Sequence, residues 1–97
     1  MPTRESIIAA LTDRSRIDEG WRPGEAELAG APLLDDWMIS RGNGVHYLVG
    51  AVTGHPHIKD GLMTTSAVVV MFEWEGWART ASRWYRLGRR LKPRLPE

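Results

Sequence analysis

The stretch "GWARTASRWYRLGRRLKPR", residues 76–94, decides how this chain is read. It holds two of the five tryptophans, a tyrosine and seven of the thirteen basic residues. Wound as a helix, it puts Trp77, Ala81, Trp84, Gly88 and Leu91 on one side and Arg79, Arg83, Arg86 and Arg90 on the other, a clean segregation. Extended, it puts Trp77, Arg79, Ala81, Arg83, Tyr85 and Leu87 on one face, which is less tidy. Yet Thr80, Trp84 and Tyr85 favour strands, and a hairpin turning at Glu75-Gly76 sets Trp74 opposite Trp77 as an aromatic cross-strand pair. Residue physics leaves both readings open.

Upstream the periods are clearer. Thr3 caps a helix predicted over about residues 4–18, with Glu5 at its positive end and Ile7, Ile8 and Leu11 on one face. Pro23-Gly24 restarts the chain into a short second helix carrying Glu25 and Glu27, ended by Gly30 and Pro32. The period then changes to two. Residues 36–41 read as a strand, Gly42-Asn43-Gly44 as a turn, and residues 45–52 as a central strand apolar on both faces. Residues 53–61 form a loop punctuated by Gly, Pro and Asp-Gly, and residues 62–74 read as one long strand or a strand with a bulge.

The segments "VTGHP", "DG", "TTS" and "GWARTASRWYRLG", within residues 51–88, resemble a family of short bacterial proteins of unknown function that end in a T-x-S-R-x-Y-x-L-G segment. The resemblance implies a closing sheet strand through Leu87. It implies no reaction and no catalytic residues. The expected fold is therefore α+β in a single domain over 1–97. Two short N-terminal helices (1–34) pack on a small antiparallel sheet of about four strands (35–88), and a basic tail follows (89–97).

Ninety-seven residues allow one hydrophobic core. The absence of cysteine removes disulfides, thiolate metal sites and thiol nucleophiles together. The longest apolar run, residues 67–72, is too short to span a bilayer, and the start "MPTRE" lacks a signal-peptide pattern, so a cytoplasmic location is expected and no membrane partner. The net charge of +1 hides a polarity: residues 77–97 carry seven basic groups against one acid, and the rest of the chain is acidic. Such polarity points to a charged partner or to ends that meet each other.

The chemical motifs are sparse. His55, His57 and Asp60 in one loop suit zinc or nickel by ligand type, with His46 joining only if the fold delivers it, but two ligands and a possible third fall short of a site. Thr64, Thr65 and Ser66 lie near histidines without a nucleophile elbow. Asp35-Asp36 is the one adjacent acidic pair and suits the junction before the first strand. Gly42-Asn43-Gly44 lacks the residues of a phosphate loop. No cofactor signature and no enzyme follow from these.

The basic aromatic segment is the stronger candidate. Arg79, Arg83, Trp84, Arg86, Arg89, Arg90, Lys92 and Arg94 are the expected partner-binding residues, with Arg79, Arg83 and Arg86 on the folded surface and Arg89 onward in an extended tail. Arginine forks and aromatic faces suit both phosphate and protein hot spots. The competing structural reading makes Trp77, Trp84 and Tyr85 core, covered by arginine stems. Glu25, Glu27, Asp35 and Asp36 form a secondary acidic patch. The expected function is a non-enzymatic interaction module that binds a larger protein or nucleoprotein complex. By analogy of size and composition, its most specific form is a mobile-element inhibitor, an anti-CRISPR protein blocking DNA access of a Cascade-like complex. The alternative is a small DNA- or RNA-binding regulator using the C-terminal arginines, and a third is a metal-binding or hydrolytic protein around His55 and His57. No residue demands dimerisation.

Overall fold

The Thr3 side chain accepts a hydrogen bond from the Ser6 amide at 3.0 Å, and the Ser6 hydroxyl accepts one from the Thr3 amide at 2.9 Å. This reciprocal cap satisfies two amides that a helix start leaves open. In the computed structural model, which describes residues 2–92, the helix that follows, α1, runs Arg4–Asp18, as its spacing predicts. Its inward face is not the predicted one. Ala10 and Ile17 are buried, whereas Ile7, Ile8 and Leu11 are exposed. The helix presents to the sheet the side that carries Asp13, whose carboxylate meets Arg79. The second element, α2 (Glu25–Leu28), is a single turn, so the expected pair of helices reduces to one helix and one turn.

Six strands follow: β1 (Leu33–Gly42), β2 (Val45–Thr53), β3 (Gly61–Thr64), β4 (Val68–Phe72), β5 (Trp77–Thr80) and β6 (Trp84–Leu87). They form one sheet in the order β3-β2-β1-β6-β5-β4. The expected four-stranded antiparallel sheet is thereby corrected twice. The predicted run over 62–74 breaks at residues 65–67 into two strands at opposite edges. The sheet is also mixed, because β6 lies parallel to β1, with Leu33 beside Arg86 and Leu34 beside Leu87.

That order forces the sheet to roll. Laid flat, β3 and β4 would stand five strand spacings apart, about 24 Å. The link between Thr64 and Val68 spans at most about 14 Å. The sheet therefore curls until its edges approach, and β2 touches β4 across the interior. Inside sit Leu34, Trp37, Leu48, Val52, Ala78 and Tyr85, with Met63, Val68, Met71 and Leu87 packed against them.

A bulge in β1 fills this core. Asp35 pairs with Ala51 and Met38 with Val49, so Asp36 and Trp37 together oppose Gly50. The extra residue resets the alternation, letting both Leu34 and Trp37 point inward. Asp36 takes φ 47° there, and the Trp37 indole N–H donates to the Gly88 carbonyl at 3.1 Å. Asp35-Asp36 thus lies within β1, not at a junction before it. The β1–β2 turn is as predicted, with Asn43 and Gly44 both at positive φ (53° and 75°), the geometry whose twist suits a tight hairpin.

The opening ambiguity resolves as two strands. β5 and β6 pair across a turn at residues 81–83, and the expected strand does end at Leu87. The pairing of Trp74 with Trp77 does not occur. A 3-10 turn over Glu73–Glu75 separates β4 from β5, closed by Gly76 at φ 78°, and Phe72 stacks on Trp77 with ring centroids 5.1 Å apart. Residues 89–91, expected as the start of a tail, continue alongside β1: the Trp37 amide donates to the Arg89 carbonyl and the Leu91 amide to the Trp37 carbonyl. Arg94 and the rest of the expected tail lie outside the described residues. Among the described residues, no helix is long and apolar enough to cross a membrane.

Candidate functional site

Strand alternation sends Ala78, Tyr85 and Leu87 into the core and turns Trp77, Arg79 and Trp84 to the outer face beneath α1. There two predicted partner-binding residues, Arg79 and Trp84, are engaged within the fold. Arg79, expected on the surface, is 5% exposed and reaches Asp13 at 3.0 Å. Burial draws its guanidinium below the ordinary value, against the charge and hydrogen bond of Asp13. The aromatics form a ladder closed by cations. Arg16 lies over Trp21, Trp21 contacts Trp84, Trp84 meets Trp77 edge-on, Trp77 stacks on Phe72, and Arg22 covers Phe72. Each rung adds a quadrupole or cation–π attraction to the area it buries. This is the structural reading of the segment, with arginine planes covering indoles.

The remaining arginines divide. Arg86 donates through Nε to the Ala31 carbonyl at 2.9 Å. Arg89 pairs with Asp36 at 2.6 Å. Arg90 pairs with Glu73 at 3.0 Å and sits over the Trp37 ring. Three of the four acids of the predicted patch are also put to local use. Glu27 accepts from the Gly24 amide ahead of α2, Asp35 accepts from the Arg89 and Asp36 amides, and Asp36 holds Arg89. Glu25 stands exposed at the start of α2. Of the six basic groups described in residues 77–92, Arg79, Arg89 and Arg90 thus pair with acids of the fold.

Among the described residues, the most exposed large apolar side chain is that of Trp74. Trp74 is 100% exposed, on the turn between β4 and β5. The turn itself is held on both sides: Glu73 pairs with Arg90, and Glu75 pairs with Arg22 at 3.3 Å while accepting from the Trp77 indole. One residue before Trp74 in the chain, Glu73 helps line a groove of about 400 Å³ with Met38, Ile39, Arg90, Leu91 and Lys92. Met38, Ile39 and Leu91 are exposed large apolar residues. Of the residues predicted to bind a partner, Arg90 and Lys92 reach this face. Sequence gives Trp74 and Leu91 only as packing residues and does not mark Met38 or Ile39, since apolarity alone gives no signal of which side they take.

The histidine loop is elsewhere. The His55 ring nitrogen Nδ1 accepts from the His57 amide at 3.0 Å, and Asp60 accepts from the Gly54 amide. Among the described residues, no three metal-ligating side chains converge, and His46 on β2 does not join the pair. The fold does bring His55, His57, Thr64, Thr65 and Ser66 to one cavity, but the Thr65 hydroxyl is committed, accepting from the Leu48 amide and donating to the Ser66 carbonyl.

A model of a family of unknown function, DUF6634, matches residues 9–95. The chain belongs to that family. It agrees with the resemblance to an uncharacterised family, without assigning an activity. No curated protein and no solved structure matches the chain.

Proposed function

We propose that this chain is a non-enzymatic interaction module that docks a larger protein through the face carrying Trp74. One observation carries the reading: an indole wholly in solvent, on a turn pinned by ion pairs at Glu73 and Glu75. An exposed tryptophan one residue from Glu73, which lines the groove of exposed Met38, Ile39 and Leu91, leaves apolar area that a partner can cover, and tryptophan and arginine are the commonest anchors of such contacts. Because the turn is already ordered, docking loses little conformational freedom. Lys92 and Arg90 at the groove suit a partner with an apolar pocket and an acidic rim. The finer version, an anti-CRISPR inhibitor of a Cascade-like complex, rests on analogy of size and composition.

The test compares wild type with Trp74→Ala and with an Arg89→Glu/Arg90→Glu pair, measuring association with the purified Cascade-like complex and capture from bacterial lysate. Trp74→Ala is expected to keep its stability within about 0.5 kcal/mol, as for an exposed site, while losing most of its binding. A captured protein held equally well by Trp74→Ala sinks the proposed face. Tight binding to a DNA duplex at physiological salt, abolished by the charge reversals, replaces this reading with the nucleic-acid one.

A further inference from the structure

Where the rolled sheet opens near the β5–β6 turn, it leaves a cavity of about 720 Å³. Its walls come from the β2–β3 loop (His55, His57, Ile58), the β3–β4 link (Thr65, Ser66), the β5–β6 turn (Ser82, Arg83), Tyr85 and the start of α1. We propose that this mouth binds a small molecule through an oxyanion group, phosphate or carboxylate, with Arg83 as the principal contact. The site is distinct from the Trp74 face and does not depend on it.

The charge pattern carries the inference. Arg79, Arg89 and Arg90 each have an acid within salt-bridge distance, and Arg86 has a carbonyl. Arg83 takes part in none of the ion pairs among the described residues, and its Nε is buried without a hydrogen-bond partner. A buried donor left open is uncommon and calls for an occupant. No acid lines the cavity, although the chain has twelve. Two imidazoles and a guanidinium thus share a wall that no carboxylate neutralises. Burial first, and the nearby Arg83 and His57 second, hold the His55 imidazole below its ordinary value.

The donors are in place for an anion. With Nδ1 of His55 accepting from the His57 amide, the neutral ring carries its proton on Nε2 and donates there. Ser66 Oγ accepts from the Ser82 amide at 3.2 Å, which leaves its own proton free to give. Ser6 only walls the mouth, since its amide and hydroxyl are spent on the helix cap, whereas Thr3 Oγ1 accepts from the Ser6 amide and keeps its own proton. A guanidinium fork matches two oxygens of a carboxylate or phosphate. The cavity is far larger than either group and is in the size range of small-molecule sites, so the ligand has an organic body as well, resting against Ile58 and Tyr85.

The experiment is an amide and imidazole NMR titration of the whole chain with inorganic phosphate, phenyl phosphate and benzoate at constant ionic strength. Saturable shifts are expected at Ser66, Ser82, Arg83, His55 and His57, with one aromatic probe binding more tightly than inorganic phosphate. Which of the two wins separates a phosphate from a carboxylate ligand. Arg83→Gln is expected to weaken binding about tenfold or more, the scale of a lost charge-assisted pair. Arg83→Lys, which keeps charge without the fork, should fall between. His57→Ala, at an exposed position, serves as a second variant that leaves Arg83 in place and should also weaken binding. Absence of saturable shifts with all three probes overturns the proposal, as does unchanged affinity in whichever of these variants folds.

Discussion

Replacing Asp13 by alanine removes the carboxylate that joins α1 to Arg79 on β5, together with its weaker, exposed pair to Arg16 at 3.6 Å. The variant leaves the Arg79 guanidinium, whose side chain is 6% exposed, without its carboxylate, whereas Asp13 itself is 16% exposed. Breaking a buried pair from one side costs about 3–5 kcal/mol, because an uncompensated charge remains. Water can reach the Asp13 side of this pair, which argues for the lower end, about 3 kcal/mol. For a domain of this length that is a fall in melting temperature of about 12–20 °C. The informative comparison is the double variant Asp13→Ala/Arg79→Met, which removes both charges and keeps the stem against Trp84. It is expected to regain about 2 kcal/mol over Asp13→Ala alone, since apolar replacement of a buried pair is often near neutral. Urea unfolding at fixed pH, with melting curves alongside, measures both. A loss below about 1 kcal/mol for Asp13→Ala would refute the argument, because that is the size of a solvated surface pair.

Three further outcomes follow from described contacts. Gly50→Ala places a methyl 2.9 Å from the Asp35 carbonyl and 3.1 Å from the Trp37 Cα, atoms of the bulge that cannot swing away; a loss of about 3 kcal/mol in urea unfolding is expected, at the top of the overpacking range. Asp35→Ala removes the acceptor for the Arg89 and Asp36 amides, and should cost about 2 kcal/mol while speeding amide exchange at Arg89 and Leu91. By NMR, His55 should titrate below 6.5, its ordinary value. The unfolded chain then binds the proton more readily, so the His55 contribution is intact above about pH 6.5 and declines as pH falls through the lowered value. Substitution by Asn should flatten that part of the stability curve.

Much of the local structure was legible in the residues. Thr3 with helical spacing gives α1, Asn43-Gly44 gives the first hairpin, and the family resemblance carried the extended reading to Leu87. What stayed hidden depends on distant partners. Helical period finds an apolar stripe of Ile7, Ile8 and Leu11, but Arg79, sixty-six positions from Asp13, decides which side faces in. The parallel pairing of β1 with β6 leaves no local trace, so the sheet read as antiparallel. A three-residue turn in place of a two-residue one moved Phe72 into the place expected for Trp74 and put that indole in solvent. Thr64-Thr65 ahead of the apolar run 67–72 favours strand, which concealed the break at 65–67. Composition also cannot tell the arginines that find partners within the fold from Arg83.

The sheet order also sets a timetable for synthesis. β6, the last of the six strands to be made, occupies an inner position between β1 and β5. Until residues 84–87 leave the ribosome, the β1–β2–β3 half and the β4–β5 hairpin have no common neighbour. The nascent chain therefore holds two unfinished edges and the apolar segment "VVVMF" of β4 without its final cover. Exposed edges of this kind invite pairing with other chains. Closure comes late and all at once, through contacts between residues far apart in sequence, which makes this a slow folder for its size.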